Sequence, residues 1–355
     1  MFKTHQTLFV FSFLLLTFSC TKSSKQLPDS TGKLGTLVIV AAADIHQALK
    51  PVYDSVFLQT MPHTTAGVPF LEILRPDVQD FQHFYFNQRS ILVMVSESSL
   101  ESMEELLEPF SKETITQCIQ DKKPILKTEK NMFAKPQHLV FLFGKDAKDL
   151  ETKLMLCREE LSRSMSGLEL QAEAEVLYKD SSPNDRYFAE IKSAFGLGVK
   201  IPAMFNLKKQ GKDMYLFQAD VKEGQTPKTI GLIIHTYPYK DTSDFSYVSI
   251  RTMRDTVCKY LVAGEIKGTY MGTTESNYYP PVWQENSVLN GNQCKKIRGW
   301  WTIRGVSMAG PYLRYVVQVP SKKMIFVFEG FVYRPNLDLK ERDLRLIESI
   351  ALTIQ

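Results

Sequence analysis

The chain begins with a short, largely apolar segment that ends at a cysteine. The segment Leu8–Phe18 contains eleven residues, whereas a helix that spans a bilayer needs about 20. It is typical of a secretory signal with the small residue Ser19 before the cleavage site. A cysteine directly after that site resembles a bacterial lipobox, in which the thiol is acylated. We therefore predict a lipoprotein signal peptide over residues 1–19 and lipidation of Cys20; a plain signal peptide with an incidental cysteine is the alternative.

The residues that follow the cysteine predict a flexible tether to a membrane. Residues 20–35 are polar, rich in serine and lysine, and interrupted by Pro28 and Gly32, a composition typical of linkers. By resemblance to known sorting signals, the lack of an acidic residue before Asp29 argues against retention at the inner membrane and against export to the cell surface. The expected location is the outer membrane, facing the periplasm, with the lipid anchor as the membrane contact.

The overall charge excludes one class of partner. Forty-three basic and 39 acidic residues give a formal net charge of +4, and the lysines and arginines are dispersed rather than clustered on one face. Nucleic-acid-binding proteins concentrate basic residues, so we expect no nucleic-acid partner. A hydrophobic content of 44% predicts a folded, globular chain.

Strand and helix patterns alternate in the first half of the chain, which predicts a layered α/β domain over residues 36–180. Continuous apolar runs indicate buried strands, and amphipathic stretches between them indicate helices, the last of them interrupted near Ser166 and Gly167. The predicted strands are Thr36–Ala41, Phe70–Leu74, Ser90–Ser96 and His138–Gly144, and the helical stretches are residues 44–56, 76–88, 100–119 and 146–178.

Strand patterns dominate the second half, so that residues 181–355 predict an antiparallel sheet with packed helices and the chain as a whole an α+β fold. Gly264 is expected to end the middle helix, and Asp338 with Glu341 to open the last one. The predicted strands are Val199–Ile201, Met214–Gln218, Ile230–Thr236, Lys295–Ile303, Leu313–Val319 and Met324–Val332, and the helices are 185–195, 244–262 and 338–354.

Several motifs in this half resemble one protein family. They are HTYPY at 235–239, YYPPVW at 278–283, GWWTIRGVSMAGPY at 299–312 and EGFVYRP at 329–335, with FAKP at 133–136 in the first half. Together they look like an uncharacterised Bacteroidetes lipoprotein family, domain of unknown function 4837. The resemblance runs over nearly the whole mature chain and implies no activity or catalytic residue, because the family has none assigned.

Four internal cysteines, Cys118, Cys157, Cys258 and Cys294, leave two interpretations open. An oxidising compartment permits disulfides, and the pairs closest in sequence are Cys118–Cys157 and Cys258–Cys294. The interpretation that we favour is four buried free thiols that act as small hydrophobic residues. No two of them have the spacing of a zinc site.

Catalytic and cofactor motifs are weak. Residues 305–309 (GVSMA) are one residue short of the GxSxG nucleophile elbow, and the strand pattern after Pro311 predicts a hairpin rather than the required helix. Gly196-Leu197-Gly198 leads into a strand pattern, so it does not predict a dinucleotide site. The histidines are scattered singly, and we predict no metal and no cofactor.

The aromatic residues cluster strongly near one predicted strand. All three tryptophans lie between residues 283 and 301, and strand alternation places Trp301 on one face and Trp300 on the other. Aromatic rings beside guanidinium groups suit a saccharide or an anionic group. The candidate ligand or partner surface consists of Trp300, Arg298, Arg304, Tyr312 and Arg314. The alternative is a structural aromatic core in which the arginines pair with Glu285 or Glu329.

Three functions follow from these patterns. The first, which we favour, is a lipid-anchored envelope protein without chemistry of its own that binds a ligand, a saccharide or another envelope protein. The second is an envelope serine hydrolase that uses Ser307 with a histidine such as His235. The third is a purely structural component of an envelope assembly.

Overall fold

The computed structural model describes most of the predicted mature chain. The described residues are 27–57, 71–179, 184–223, 226–264, 266–274, 279, 282–303, 305–334 and 340–355. The predicted signal peptide and Cys20 lie outside them.

The first half of the chain forms a mixed five-stranded sheet in the described residues, with the order β2-β1-β3-β5-β4. Strands β2, β1, β3 and β5 run parallel to one another, and β4 is antiparallel to β5. The strands are β1 Thr36–Val40, β2 Glu72–Leu74, β3 Ser90–Ser96, β4 Leu126–Lys130 and β5 His138–Gly144.

Helices cover both faces of this sheet, which explains why its strands read as continuous apolar runs. Leu92 on β3 packs against one layer of helices and the adjacent Val93 against the other. One layer contains α1 Ala43–Phe57 and α5 Ala147–Lys179, and the other contains α2 Val78–Asp80, a π-helical turn Phe81–Tyr85, α3 Glu104–Leu107 and α4 Lys112–Gln120.

Two helix predictions for this half were wrong in detail. The stretch 100–119 is divided into α3 and α4, because Ser111 caps a new helix by accepting from the backbone N–H of Thr114. By contrast, α5 continues through Gly167 without a break. Leu161 and Met165 pack on the sheet before the glycine, and this tertiary packing outweighs the cost of about 1 kcal/mol that glycine brings to a helix.

The second half forms an antiparallel sheet of eight strands in the described residues, with the order β10-β11-β12-β13-β8-β7-β6 and β9 paired with β11. The prediction of an α+β fold with an antiparallel C-terminal sheet is confirmed. The strands are β6 Asn206–Gly211, β7 Met214–Glu223, β8 Thr226–Pro238, β9 Met271–Thr273, β10 Trp283–Leu289, β11 Asn292–Ile303, β12 Ala309–Val319 and β13 Met324–Tyr333.

Helices also cover both faces of the second sheet. One face packs against α6 Asp185–Phe195 and α8 Lys340–Ala351, and the other packs against α7 Tyr247–Leu261. The apolar stripe predicted for the last helix is confirmed as buried: Leu344, Ile347, Ile350, Ala351 and Ile354. Asp338, predicted to cap this helix, lies outside the described residues.

Two local predictions for this half were wrong. Val199–Ile201 is buried but is not a strand of the sheet. The preceding Gly198 forms its backbone hydrogen bonds with Gln355 instead: the N–H group of each residue donates to the carbonyl of the other at 3.0 Å. The middle helix ends at Leu261, one residue before its predicted end at Val262. Gly264 is not the residue that terminates it, because Val262 already leaves the helical conformation with φ −120° and ψ 73°.

Helix α5 also links the two sheets. Its buried Glu169 accepts from the backbone N–H of Gly35 at 2.6 Å and from the hydroxyl of Ser90. One turn later, Glu173 lies 3.6 Å from Nε of Arg345 on α8.

The predicted boundary near residue 180 falls in the segment 180–183, outside the described residues, and stays a prediction.

Among the described residues, none of the helices combines the length and the apolar character needed to cross a bilayer.

The close contact between α8 and the second sheet generates a stability prediction. A Cβ added at Gly330 would lie 2.2 Å from Cγ2 of Ile347, so Gly330→Ala should lower the free energy of unfolding by about 1–3 kcal/mol. Gly167 is the control, because a Cβ there meets no heavy atom within 4 Å. Gly167→Ala should stabilise the helix by up to about 1 kcal/mol. Urea unfolding measures both, and a wild-type midpoint for Gly330→Ala would contradict the packing described.

Candidate functional site

Trp300 and Arg298 face the side of the sheet that α8 covers. Trp300 is buried, and its ring stacks on Tyr279 with centroids 5.0 Å apart. Arg298 is also buried and donates from Nη2 to Oε2 of Glu348 on α8 at 2.8 Å. Burial alone would raise the pKa of Glu348, but the charges of Arg298 and Lys296 outweigh it and lower this pKa. These side chains are therefore engaged in internal contacts.

Tyr312 and Arg314 lie on the opposite face, beneath α7. The guanidinium of Arg254 stands over the ring of Tyr312, 4.1 Å from its centroid. Arg314 donates from Nη1 to the carbonyl of Ile250 at 3.2 Å, and its Nε lies 3.5 Å from Oε2 of Glu329. The pairing of an arginine with Glu329, the alternative that the sequence left open, is confirmed.

The predicted surface is thus split between two faces of the sheet. Trp300 and Arg298 lie on one face, Tyr312 and Arg314 lie on the other, and all four are buried. Arg304 lies outside the described residues. The four described members do not form one exposed surface for a saccharide, because strand alternation separates them and internal carboxylates neutralise the arginines.

A buried ion cluster of Arg254, Arg314 and Glu329 fastens α7 to the sheet. Arg254 donates to the Glu329 carboxylate from Nε at 3.0 Å and from Nη2 at 2.7 Å. Burial opposes the charge of Arg254, but the Glu329 carboxylate raises its pKa, so the guanidinium stays protonated. With the carboxylate of Asp255, 3.6 Å from Nη1 of Arg254, two arginines face two carboxylates and the formal charges balance.

His235 is hydrogen-bonded to the ion cluster through Arg314. Its Nε2 lies 2.7 Å from Nη2 of Arg314, so the imidazole accepts the hydrogen bond in its neutral form. Complete burial, and then the charge of Arg314, hold the pKa of His235 well below its usual value. A histidine that hydrogen-bonds to a guanidinium, and that no carboxylate in the described part of the chain orients, is poorly suited to act as a general base.

Ser307 does not meet His235. The exposed Ser307 lies in the connection before β12, and no helix follows it. His235 on β8 is in register with Val327 on β13, which is in register with Val316 on β12. Val316 is seven residues along β12 from Ala309, a distance of about 24 Å at the usual rise of a strand. The hydrolase pair is therefore not assembled.

The four internal cysteines are all free and buried, as the favoured interpretation predicted. Burial raises the pKa of Cys157 to about 11 and those of Cys258 and Cys294 to about 12. These thiols stay protonated at neutral pH, which makes them poor nucleophiles and poor metal ligands. Within the described part of the chain, no cluster of three or more histidine, cysteine or acidic side chains has a geometry that could hold a metal ion.

A cleft of about 180 Å³ opens on the α7 face of the second sheet, near the C-terminal end of α7. It extends across strands β11, β13, β8 and β7, with the chain after α7 at its rim. Its described lining residues are Gln218, Thr229, Val262, Ala263, Gly264, Met271, Trp301, Ile303, Met308, Phe331 and Tyr333.

Two glycines allow aromatic rings to form the cleft floor. A Cβ at Gly231 would lie 2.1 Å from the ring of Phe331, and one at Gly310 would lie 2.9 Å from the ring of Trp301. The two rings meet edge to face, with centroids 6.0 Å apart. The glycines therefore hold the large rings close to the sheet, where β-branched residues would push them away.

Met271 connects the ion cluster to the cleft. Met271 lines the cleft, and Nη2 of Arg254 lies 3.4 Å from its sulfur. The backbone N–H of Met271 donates to the carbonyl of Val262 at 3.0 Å, and that of Gly264 donates to Thr269 at 2.8 Å. These bonds fix the chain after α7, so the cluster that secures α7 also positions the cleft rim.

The cleft is apolar at one end and polar at the other. The indole N–H of Trp301 is buried and finds no acceptor among the described residues. At the other end, Thr229 donates to Asp220 at 2.8 Å, while the half-buried Gln218 side chain makes no hydrogen bond to another described residue. No charged side chain is among the described lining residues.

Part of the chain matches a known family model. Residues 184–353 match the family described as Domain of unknown function (DUF4837). These residues contain the second sheet and the cleft. No curated protein matches the chain.

Three solved structures show weak likeness to the chain. A mutant of the protein Mog1 is 11% identical, with 45% of this chain and 89% of that chain covered and a TM-score of 0.29. The Saccharomyces cerevisiae Ran-binding protein Mog1p is 10% identical, with 45% and 91% covered and a TM-score of 0.29. LpqN, involved in cell envelope biogenesis of Mycobacterium tuberculosis, is 12% identical, with 44% and 79% covered and a TM-score of 0.25. Scores this low do not establish a common fold or function.

The buried ion cluster predicts a large asymmetry between internal and surface ion pairs. Glu329→Gln removes the carboxylate between two buried arginines and should cost about 3–5 kcal/mol of unfolding free energy. Lys208→Gln breaks the exposed pair with Asp220 and should cost less than about 1 kcal/mol. Chemical denaturation of both variants tests the difference. Equal midpoints would show that Glu329 does not compensate two buried arginine charges.

The depressed pKa of His235 predicts a loss of stability in acid. Between its folded pKa and about 6.5, the unfolded chain binds a proton that the folded chain does not, so stability falls as pH decreases. His235→Gln, which can still accept from Arg314, should remove up to about 1.4 kcal/mol per pH unit of this slope. Unfolding free energies measured between pH 5 and pH 7.5 should therefore vary less steeply in the variant; an unchanged slope would place the protonation elsewhere.

Proposed function

We propose that this protein is a lipid-anchored, periplasm-facing component of the outer membrane that binds a partner in the cleft of its C-terminal sheet and performs no chemistry there. The observation that carries the proposal is the cleft, a partly open site lined by aromatic and sulfur-containing side chains. Concave apolar sites with a few polar groups are the usual form of binding sites.

The features of the cleft favour binding. Gly231 and Gly310 let the aromatic rings lie close to the sheet. The buried indole N–H of Trp301 has no acceptor among the described residues, at a cost of about 1–3 kcal/mol. A buried polar group without a protein partner departs from the usual rules of folding, and such departures are expected at functional sites.

The chemistry of the described side chains supports a role without catalysis. The neutral His235 is held by Arg314, and the exposed Ser307 lies far along the sheet from it. The cysteines have raised pKa values. A nucleophile next to a base, which covalent catalysis needs, is not formed by any of these groups.

The proposed anchor would keep the folded body close to the membrane. Leu27, the first described residue, is seven residues after Cys20, and an extended chain of that length spans at most about 25 Å. Stable anchoring requires more than one acyl chain, a condition that a diacylated or triacylated cysteine meets.

The anchor is tested by Cys20→Ser in the native host. A serine cannot carry the thioether-linked lipid, so we expect the variant to accumulate unprocessed or to leave the membrane fraction. Ser24→Ala, in the same polar stretch, keeps the thiol and should fractionate like the wild type. If Cys20→Ser still matures and sediments with membranes, the protein is held there by something other than acyl chains.

The binding role is tested by photo-crosslinking in living cells. Benzoyl-phenylalanine at Met308, in the cleft lining, should give a discrete crosslinked product, whereas the same residue at the exposed Val288 on β10 should not. Adding Ala263→Phe, which places a ring over the cleft, should abolish the product. Labelling of both positions alike, or of neither, would argue against binding in the cleft and favour a structural role in an envelope assembly.

A further inference from the structure

We propose that the cleft takes one apolar side chain of a partner polypeptide and that Gln218 holds the peptide group next to it. The inference rests on the proposed binding function and specifies the chemistry of what is bound.

The size of the cleft limits the occupant. Its volume is about 180 Å³, whereas pockets for drug-sized molecules measure roughly 300–1,000 Å³. An apolar protein cavity of about 150 Å³ holds a single benzene ring. The cleft therefore has room for one aromatic ring or one branched aliphatic side chain.

The apolar end suits such a side chain. Trp301 and Phe331 already meet edge to face, and a third ring could add to this arrangement with favourable aromatic geometry. Met271 and Met308 complete this end, and thioether side chains adapt to rings and aliphatic groups alike.

The polar end suits a peptide group. Gln218 lies on β7, four strand positions across the sheet from Trp301 on β11, and its amide is not bonded to another described residue. A glutamine amide offers a donor and an acceptor together, which match the C=O and N–H of a peptide. No charged side chain occurs among the described lining residues, which favours a neutral group over a carboxylate.

The surroundings of the cleft favour a polypeptide over an acyl chain. Tyr260 and Ile266, which flank the rim segment 262–264 in sequence, are 69% and 57% exposed. Such residues provide contact area for the remainder of a partner's chain. An acyl chain, by comparison, has no group for Gln218 to bind along its length.

The test is an NMR titration of the folded protein with N-acetyl-L-phenylalaninamide. With ¹⁵N-labelled tryptophan, the three tryptophans give three indole resonances, and Trp301→Phe identifies the one from the cleft. The Trp301 resonance should shift saturably, while those of Trp283 and Trp300 should not move.

Two matched variants test the role of Gln218. Gln218→Leu should raise the Kd of the amide probe about three- to tenfold, the range expected for lost hydrogen bonds, and should leave the Kd of toluene unchanged. Gln293→Leu, the same substitution at an exposed position on β11, should change neither.

Three results would overturn the assignment: no saturable shift at Trp301, tighter binding of octanamide than of the phenylalanine amide, or tighter binding of N-acetyl-phenylalanine, which carries a carboxylate.

If the crosslink at Met308 forms in cells while these probes fail, the cleft binds a partner of another chemistry and the proposed function stands. If that crosslink is absent, the proposed function fails whatever the probes do.

Discussion

The interaction on which the C-terminal half of the molecule depends is the contact of Arg254 with Glu329. It joins α7 to the centre of the antiparallel sheet in a layer from which water is excluded. Buried ion pairs add little net stability compared with apolar residues of the same size, but they are costly to break. We therefore infer that the cluster specifies where α7 sits on the sheet, since a shift of the helix would leave buried charges unpaired.

The position of α7 in turn determines the shape of the cleft. The chain turns away from the helix after Leu261, and the backbone bond from Met271 to Val262 returns it to the sheet edge beside Trp301. The aromatic floor and the rim are thus set by separate parts of the chain. This arrangement leaves the cleft accessible while the rest of that layer is filled by side chains.

The sequence predicted those features that depend on local periodicity. Alternation along β11 placed Trp300 and Trp301 on opposite faces, and continuous apolar runs predicted four of the five described strands of the first sheet. The strand β4, which has no apolar run, was missed. It did not predict the cleft, because Gln218 and Trp301 come together only through the order of strands that are distant in the chain. It also misjudged Gly167, since a local cost cannot reveal the packing that outweighs it. The tryptophan cluster pointed to Trp300, whereas the cleft is lined by Trp301 on the opposite face of β11.

The central claim is that an apolar site stays open between the end of α7 and the aromatic floor of the sheet. Diffraction from crystals under xenon pressure tests it most directly, because xenon enters accessible apolar cavities without needing a specific ligand. The account predicts a xenon atom in contact with Trp301, Met271 and Phe331. A structure in which that space holds no xenon and is filled by a side chain of the protein itself would contradict it.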